Sequence, residues 1–168
     1  MQRKTKVIRL PNSLSILATL LLATSLHAAE YQGRVVGVAD GDTINVLDSS
    51  KTQHKVRLNG IDAPEKGQPF TNRSRISLAM MVYQREVTIV THKVDRYGRE
   101  IGKVLHDGQD VCLEQVKRGL AWHYKAHERE QSESDRNAYS AAEDAARAAK
   151  AGLWADKEPI APWEWRKK

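Results

Sequence analysis

The chain has 168 residues, which is enough for one domain with a full hydrophobic core and too few for two domains of ordinary size. Its 27 basic residues exceed its 21 acidic residues, and its single cysteine, Cys112, excludes an intramolecular disulfide. The apolar neighbours of Cys112 predict a buried thiol rather than a catalytic one.

Residues 1–29 have the layout of a secretory signal peptide: basic residues, then an uncharged apolar run, then small residues. We expect export to the periplasm or beyond, with cleavage near Ala28 or Ala29 and no stable membrane association afterwards. The alternative is an N-terminal anchor, although the apolar run is shorter than the ~20 residues that a membrane span needs. Without this segment 23 basic residues face 21 acidic ones, so the net charge of +2 says little about nucleic acid.

The first part of the remaining chain predicts a meander of strands. Residues 34–38, 43–47 and 55–58 are rich in β-forming residues and are separated by turn residues such as Asp40 and Gly41. A loop that contains two prolines follows. Apolar residues at helical spacing then predict a helix; they are Phe70, Ile76, Ala79, Met80 and Tyr83.

The second part predicts two more strands and two more helices. Residues 86–90 and 101–105 read as strands, and residues 111–118 as a short helix. Residues 134–150 are rich in alanine and place their apolar positions on one helix face, with Ser132 or Ser134 as the N-cap. Five strands with interleaved helices predict an α+β domain that contains a small barrel.

Two aspartates beside these strands are candidate metal ligands. Asp42 opens one predicted strand and Asp62 follows another, so a meander can bring both to one rim of the barrel. Oxygen ligands without histidine or cysteine favour Ca²⁺ or Mg²⁺ over zinc. Each aspartate alone also fits ordinary turn or loop chemistry.

Three further residues are candidates for the chemistry of a phosphodiester. Glu65 lies three residues beyond Asp62 and could take a proton from an attacking water. Arg57 and Arg99 offer planar donors for phosphate oxygens and for the charge that develops in a transition state. Alternatively, Glu65 is a solvated loop carboxylate, and Arg57 and Arg99 each form a surface salt bridge.

Four segments taken together resemble a known family. Residues 40–43 (DGDT), 57–58 (RL), 61–65 (IDAPE) and 95–99 (DRYGR) occur in the order and register of thermonucleases. From about residue 31 to residue 154, the chain resembles a secreted bacterial member of the staphylococcal-nuclease-like family. The resemblance implies a five-stranded OB-fold β-barrel with three helices, in one domain over residues 30–168 that includes a C-terminal tail.

The resemblance also implies an activity: Ca²⁺-dependent endonucleolytic cleavage of DNA and RNA with low sequence specificity, at the P–O5′ bond, leaving 3′-phosphate ends. By this resemblance Ca²⁺ is bound by the carboxylates of Asp42 and Asp62 and by the backbone carbonyl of Ala63. Arg57 and Arg99 hold the scissile phosphate, and Glu65 is the general base or orients the water. Weaker candidates for support of the metal site or for substrate contact are Asp40, Tyr97 and Tyr124.

The rival interpretation is an OB-fold protein that binds single-stranded nucleic acid without cutting it. Only cleavage needs the three carboxylates together with both arginines. The aromatic residues of the C-terminal tail could form a stacking surface, but we expect them to pack on the barrel and the last helix. The closing residues 166–168 (RKK) are expected to be an exposed basic end, and the protein is expected to be a monomer.

Overall fold

The computed structural model of the protein describes residues 29–168. Five strands form a closed barrel: β1 (Ala29–Val38), β2 (Thr43–Asp48), β3 (Gln53–Leu58), β5 (Glu86–Val94) and β6 (Glu100–His106). Their order is β3-β2-β1-β5-β6, and β3 also pairs with β6 in parallel, which closes the barrel; the other pairs are antiparallel. The predicted α+β fold with a five-stranded OB-fold barrel is confirmed.

Three short strands attach the remaining chain to the barrel. β7 (Gln109–Asp110) pairs with the end of β6, and β4 (Ile61–Asp62) pairs with β8 (Trp122–His123) in a small sheet of two strands. Ala29, where the predicted export segment ends, is the first residue of β1 and pairs with Thr91. The rest of that predicted segment lies outside the described residues.

The three predicted helices are present as α1 (Thr71–Val82), α2 (Val111–Lys117) and α3 (Glu133–Ala148). Asp110 caps α2 by accepting a hydrogen bond from the Leu113 amide, and Ser132 caps α3 through the Asp135 amide. The sequence did not predict the 3₁₀ turns Lys125–Glu130 and Gly152–Ala155 or the four-residue helix α4 (Pro162–Trp165). No described helix is long and apolar enough to cross a membrane.

The apolar spacing in α1 gives the correct helix, but its large apolar residues do not form the buried face. Ile76, Met80 and Tyr83 are exposed, Met80 to 78%. The face that meets the barrel and α2 instead carries small or aliphatic residues: Ser74, Ser77, Leu78 and Val82. The small Ser74 side chain is buried at this face, and its hydroxyl donates to the Leu120 carbonyl.

The main core fills the barrel and continues under α2 and α3, with Val35, Ile44, Val56 and Ile89 at its centre. Cys112 is fully buried, as predicted, and burial raises the pKa of its thiol. A second apolar cluster joins β8, the end of α3 and the tail, and it is built from Trp122, Ala146, Leu153, Trp154 and Ala161. Trp154 belongs to this cluster and Trp163 packs against it, whereas the ring contact of Trp165 is with Lys168 of the same tail.

Candidate active site

Asp42 is placed at one rim of the barrel by the turn between β1 and β2. The Leu58 amide donates to the Asp42 carbonyl over 2.8 Å, which ties this turn to the end of β3. The Asp42 side chain accepts hydrogen bonds from the Thr43 hydroxyl and from the Ala63 amide, at 3.2 and 2.7 Å. Asp42 is only 6% exposed.

Gly41 allows the helices to approach this turn closely. A Cβ atom at residue 41 would lie 1.9 Å from the Ser74 hydroxyl oxygen and 2.7 Å from the Ala63 Cβ atom. The buried Gln115 side chain donates to the Gly41 carbonyl over 2.9 Å. Helices α1 and α2 thus hold the loop that presents Asp42.

Arg57 joins the two aspartates. It pairs with Thr43 across β2 and β3, so its guanidinium lies beside Asp42. Its Nη1 atom is 2.8 Å from Asp42 Oδ2, and its Nη2 atom is 2.7 Å from Asp62 Oδ1. Nη1 also donates to the Ile61 carbonyl over 3.0 Å. One planar side chain therefore holds two acidic residues that the sequence separates by twenty positions.

Asp62 and Glu65 meet at a second arginine that the sequence did not assign to the site. Arg166 Nη2 is 2.9 Å from Asp62 Oδ2, Arg166 Nη1 is 3.3 Å from Asp62 Oδ1, and Nη1 also contacts Glu65 Oε1. Arg166 is exposed, as expected of the basic end, but it also forms ion pairs with Asp62 and Glu65 that the sequence did not predict. Only its membership of the closing basic triplet could have drawn attention to it, and that gives no partner.

Arg99 lies at the same rim, but its contacts are with its own hairpin. It stands two residues before Ile101, which pairs with Arg57, so strand spacing puts the two arginine backbones roughly 8 Å apart. The Arg99 guanidinium bonds to Asp95 at 2.8 Å and lies over the Tyr97 ring. Tyr97 is 67% exposed. The structure thus brings Arg99 near the acidic cluster without joining it to that cluster.

The remaining predicted residues have structural contacts of their own. The Asp40 carboxylate accepts from the Asp42 amide over 3.0 Å and so shapes the loop. Ala63 touches Asp42 through its amide, whereas its carbonyl was the expected ligand. Tyr124 stacks on Trp163, with ring centroids 5.4 Å apart, so its contact is with the tail. Roles for these residues in cation or substrate binding stay predictions.

Burial makes the charges of this site unusual. It raises the pKa of Asp42 to about 7, against the opposing effect of the Arg57 guanidinium. Although burial disfavours its charge, the Asp42 and Asp62 carboxylates hold the pKa of Arg57 above its ordinary value. A second positive charge next to Asp42 would therefore stabilise the ionised carboxylate, which burial disfavours.

The donor set fits a hard cation in chemistry. Among the described residues no group of three or more His, Cys, Asp or Glu side chains is arranged to hold a metal ion. The carboxylates of Asp42, Asp62 and Glu65 are instead connected through guanidinium groups. Oxygen ligands of this kind suit Ca²⁺ or Mg²⁺, and the binding of one by Asp42 and Asp62 stays a prediction.

Comparison with known proteins decides the family. The sequence model described as "Staphylococcal nuclease homologue" matches residues 55–156. The chain belongs to the staphylococcal nuclease family.

Relatives agree with this membership. The chain is 40% identical over 151 residues to an "uncharacterized endonuclease" of Haemophilus influenzae, which covers 88% of this chain and 82% of the relative. It is 37% identical over 163 residues to a "micrococcal nuclease" of Shigella flexneri, which covers 91% of each chain. An "uncharacterized endonuclease" of Escherichia coli O157:H7 is 39% identical over 151 residues, covering 89% of this chain and 94% of the relative.

Membership of this family makes the protein a phosphodiester hydrolase that acts on nucleic acid. The enzyme interpretation is confirmed over the rival of an OB-fold protein that binds without cutting. The family is in general metal-dependent.

Proposed function

We propose that this nuclease is a Ca²⁺-dependent endonuclease that cleaves DNA and RNA with low sequence specificity. It hydrolyses the P–O5′ bond and leaves 3′-phosphate ends. The observation that carries the proposal is the buried Asp42–Arg57–Asp62 arrangement with Glu65 beside it. A protein that only binds nucleic acid has no need for buried carboxylates at its phosphate-binding surface, because they repel the backbone.

In this proposal the two arginines bind the scissile phosphate. Arg57 is held by backbone and carboxylate contacts at the end of β3, so its donors are already oriented and lose little freedom on binding. Arg99 reaches the same phosphate from the neighbouring hairpin, either by breaking its ion pair with Asp95 or while keeping it. Both guanidinium groups then stabilise the additional negative charge of the five-coordinate transition state.

Glu65 acts on the attacking water. Its side chain is 37% exposed at the edge of the loop after Asp62, where water can reach it. Its carboxylate accepts the proton as the water oxygen bonds to phosphorus. The P–O5′ bond breaks, and the departing O5′ atom takes a proton from solvent water to become the 5′-hydroxyl. A bound Ca²⁺ would supply positive charge for the phosphate oxygens and a site for the water.

The direct test is cleavage of plasmid DNA and of RNA with Ca²⁺, with Mg²⁺ and with EDTA. We expect cleavage with Ca²⁺ and none with EDTA, and labelling of the product ends should give 3′-phosphate and 5′-hydroxyl groups. Intact substrate with Ca²⁺ but cleavage with Mg²⁺ would overturn the Ca²⁺ assignment. Products with 5′-phosphates would overturn the assigned bond.

We also propose that the enzyme is exported, as a monomer, to the periplasm or beyond. The support is the signal-like layout of residues 1–29. N-terminal sequencing of the protein recovered from periplasmic and culture fractions would give a start near residue 29 or 30. Light scattering on that material would give the mass of one chain.

A further inference from the structure

Arg166 contacts two carboxylates at the proposed active site, those of Asp62 and Glu65. Its guanidinium donates to both oxygens of Asp62 and to Glu65, although 104 residues separate it from Asp62 in the sequence. Asp62 Oδ1 also accepts from Arg57. Each carboxylate oxygen has two lone pairs. In the described structure Asp62 Oδ1 accepts two hydrogen bonds, one for each lone pair, and Oδ2 accepts one.

A cation that binds through Asp62 must therefore displace a guanidinium or bind close to one. Arg57 is fixed, because its side chain is 12% exposed and it also bonds to Asp42 and to the Ile61 carbonyl. The Arg166 side chain is 41% exposed, and its hydrogen bonds in the described structure go to Asp62 and Glu65. Arg166 is therefore the guanidinium that a cation would displace.

The tail keeps Arg166 close to the acids. Ala161 and Pro162 are buried, the Gln68 side chain donates to the Ile160 carbonyl over 2.6 Å, and Trp163 packs on Trp122. A side chain that is tethered in this way competes at a high effective concentration.

We propose that Arg166 is an intrachain counter-ion that competes with the divalent cation for Asp62, and so sets the cation affinity of the nuclease. The inference rests on the proposed cation site. By linkage, a bound cation weakens the Arg166 contacts by the same factor as Arg166 weakens cation binding.

Titration calorimetry with Ca²⁺ at fixed ionic strength tests the proposal, and it needs no activity measurement. Arg166→Gln should bind Ca²⁺ roughly 5- to 50-fold more tightly than the wild type. Arg166→Lys, which keeps the charge but loses the planar pair of donors, should fall between the two. Lys167→Gln removes the same charge from the same tail but contacts Glu164, so its affinity should stay within about twofold of the wild type.

Two further results separate the failure of this inference from the failure of the site. Asp42→Asn should abolish binding in both the wild type and the Arg166→Gln background. Suppose that Asp42→Asn abolishes binding but Arg166→Gln binds Ca²⁺ no more tightly than the wild type. That result would overturn the competition by Arg166 and leave the cation site in place. If folded wild type and Arg166→Gln both fail to bind Ca²⁺, the cation site is overturned and the inference with it. Circular dichroism checks the fold of each variant.

Discussion

Arg57 is the residue on which the candidate site depends. Its guanidinium contacts Asp42, Asp62 and the Ile61 carbonyl at the same time, and these contacts use the planar fork of donors that lysine lacks. Replacing it leaves two buried carboxylates without their shared partner. An arginine at this position therefore has both a structural and a chemical role.

Arg57→Lys should lower the rate of cleavage by about 10²–10³-fold, because one oriented donor to the transition state is worth that much. The measurement is the initial rate on plasmid DNA, with the fold checked by circular dichroism. Arg85→Lys, on the exposed chain before β5, is the matched control and should cleave like the wild type. A folded Arg57→Lys enzyme of normal rate would contradict the assigned role.

Glu65→Gln should lower kcat by about 10²–10⁴-fold, because an amide cannot accept the proton of the attacking water. KM should change little, since the side chain keeps its size and the arginines still bind the phosphate. Steady-state kinetics on a short labelled oligonucleotide gives both values. Glu164→Gln, in the tail and paired with Lys167, is the control. A raised KM with an unchanged kcat would assign Glu65 to binding instead.

At the scale of elements, His54 connects four strands at one end of the barrel. Its Nε2 atom is 3.0 Å from Asp48 at the end of β2, and its Nδ1 atom is 2.7 Å from Glu100 at the start of β6. The Tyr31 hydroxyl of β1 donates to the same glutamate over 2.7 Å. The parallel pairing of β3 with β6 closes the barrel beside this cluster. We therefore expect the charges of His54, Asp48 and Glu100 to affect the stability of that pairing.

The stability that His54 gives should depend on pH. Its hydrogen bond to Asp48 raises the pKa of His54, so its contribution is complete below about pH 6.5 and is lost as the pH rises through the raised value. The same contact lowers the pKa of Asp48, whose contribution is present above about pH 4 and is lost as the pH falls through the lowered value. Both are present near pH 5.5.

His54→Gln should therefore reduce the free energy of unfolding more at pH 5.5 than at pH 9, as measured by urea titration. An equal loss at both pH values would mean that the neutral ring supplies the whole contribution.

Gly41→Ala tests how closely the helices approach the Asp42 loop. The new Cβ atom would meet Ser74 and Ala63, so we expect a loss of about 1–3 kcal/mol in the free energy of unfolding. Gly37→Ala is the control, because its Cβ atom would meet only the flexible Asn45 side chain, 3.0 Å away. Urea titration of both variants gives the comparison; equal losses would mean that Gly41 has no special packing role.

For the molecule as a whole, the sequence predicted what local patterns determine. Alternating β-forming residues between turns gave five barrel strands, and Ser132 and the alanine-rich face gave α3. The expectation that a meander brings Asp42 and Asp62 to one rim agrees with the contacts of both with Arg57 in β3, while their roles in cation binding and cleavage stay predictions. The exposed face of α1 was not predictable from spacing alone, since packing on the barrel favours the small side chains of Ser74 and Ser77.

The tail was the part that the sequence could not place. Arg166 reaches Asp62 only because a four-residue helix docks on β8 through aromatic contacts. Such a short helix has no periodic pattern to read, and the contact spans most of the chain. The basic residues 166–168 predicted exposure, which Arg166 has, but they gave no sign of its acidic partners.

Trp163 should control this docking. Its ring lies 5.4 Å from the rings of both Trp122 and Tyr124, so Trp163→Ala should lower the free energy of unfolding by about 1–3 kcal/mol. Trp165→Ala is the control, because its ring contact is with Lys168 of the same tail. Chemical denaturation followed by circular dichroism measures both losses, and equal losses would contradict the docking role.

If the docked tail acts on the cation site through Arg166, Trp163→Ala should also bind Ca²⁺ more tightly than the wild type. Once Arg166 is already glutamine, the same change should have no further effect on Ca²⁺ affinity, because the competing group is gone. A double-mutant cycle by calorimetry gives this coupling directly. Additive effects would mean that the tail influences the cation site by a route other than Arg166, for example by moving β8, whose Trp122 pairs with Asp62.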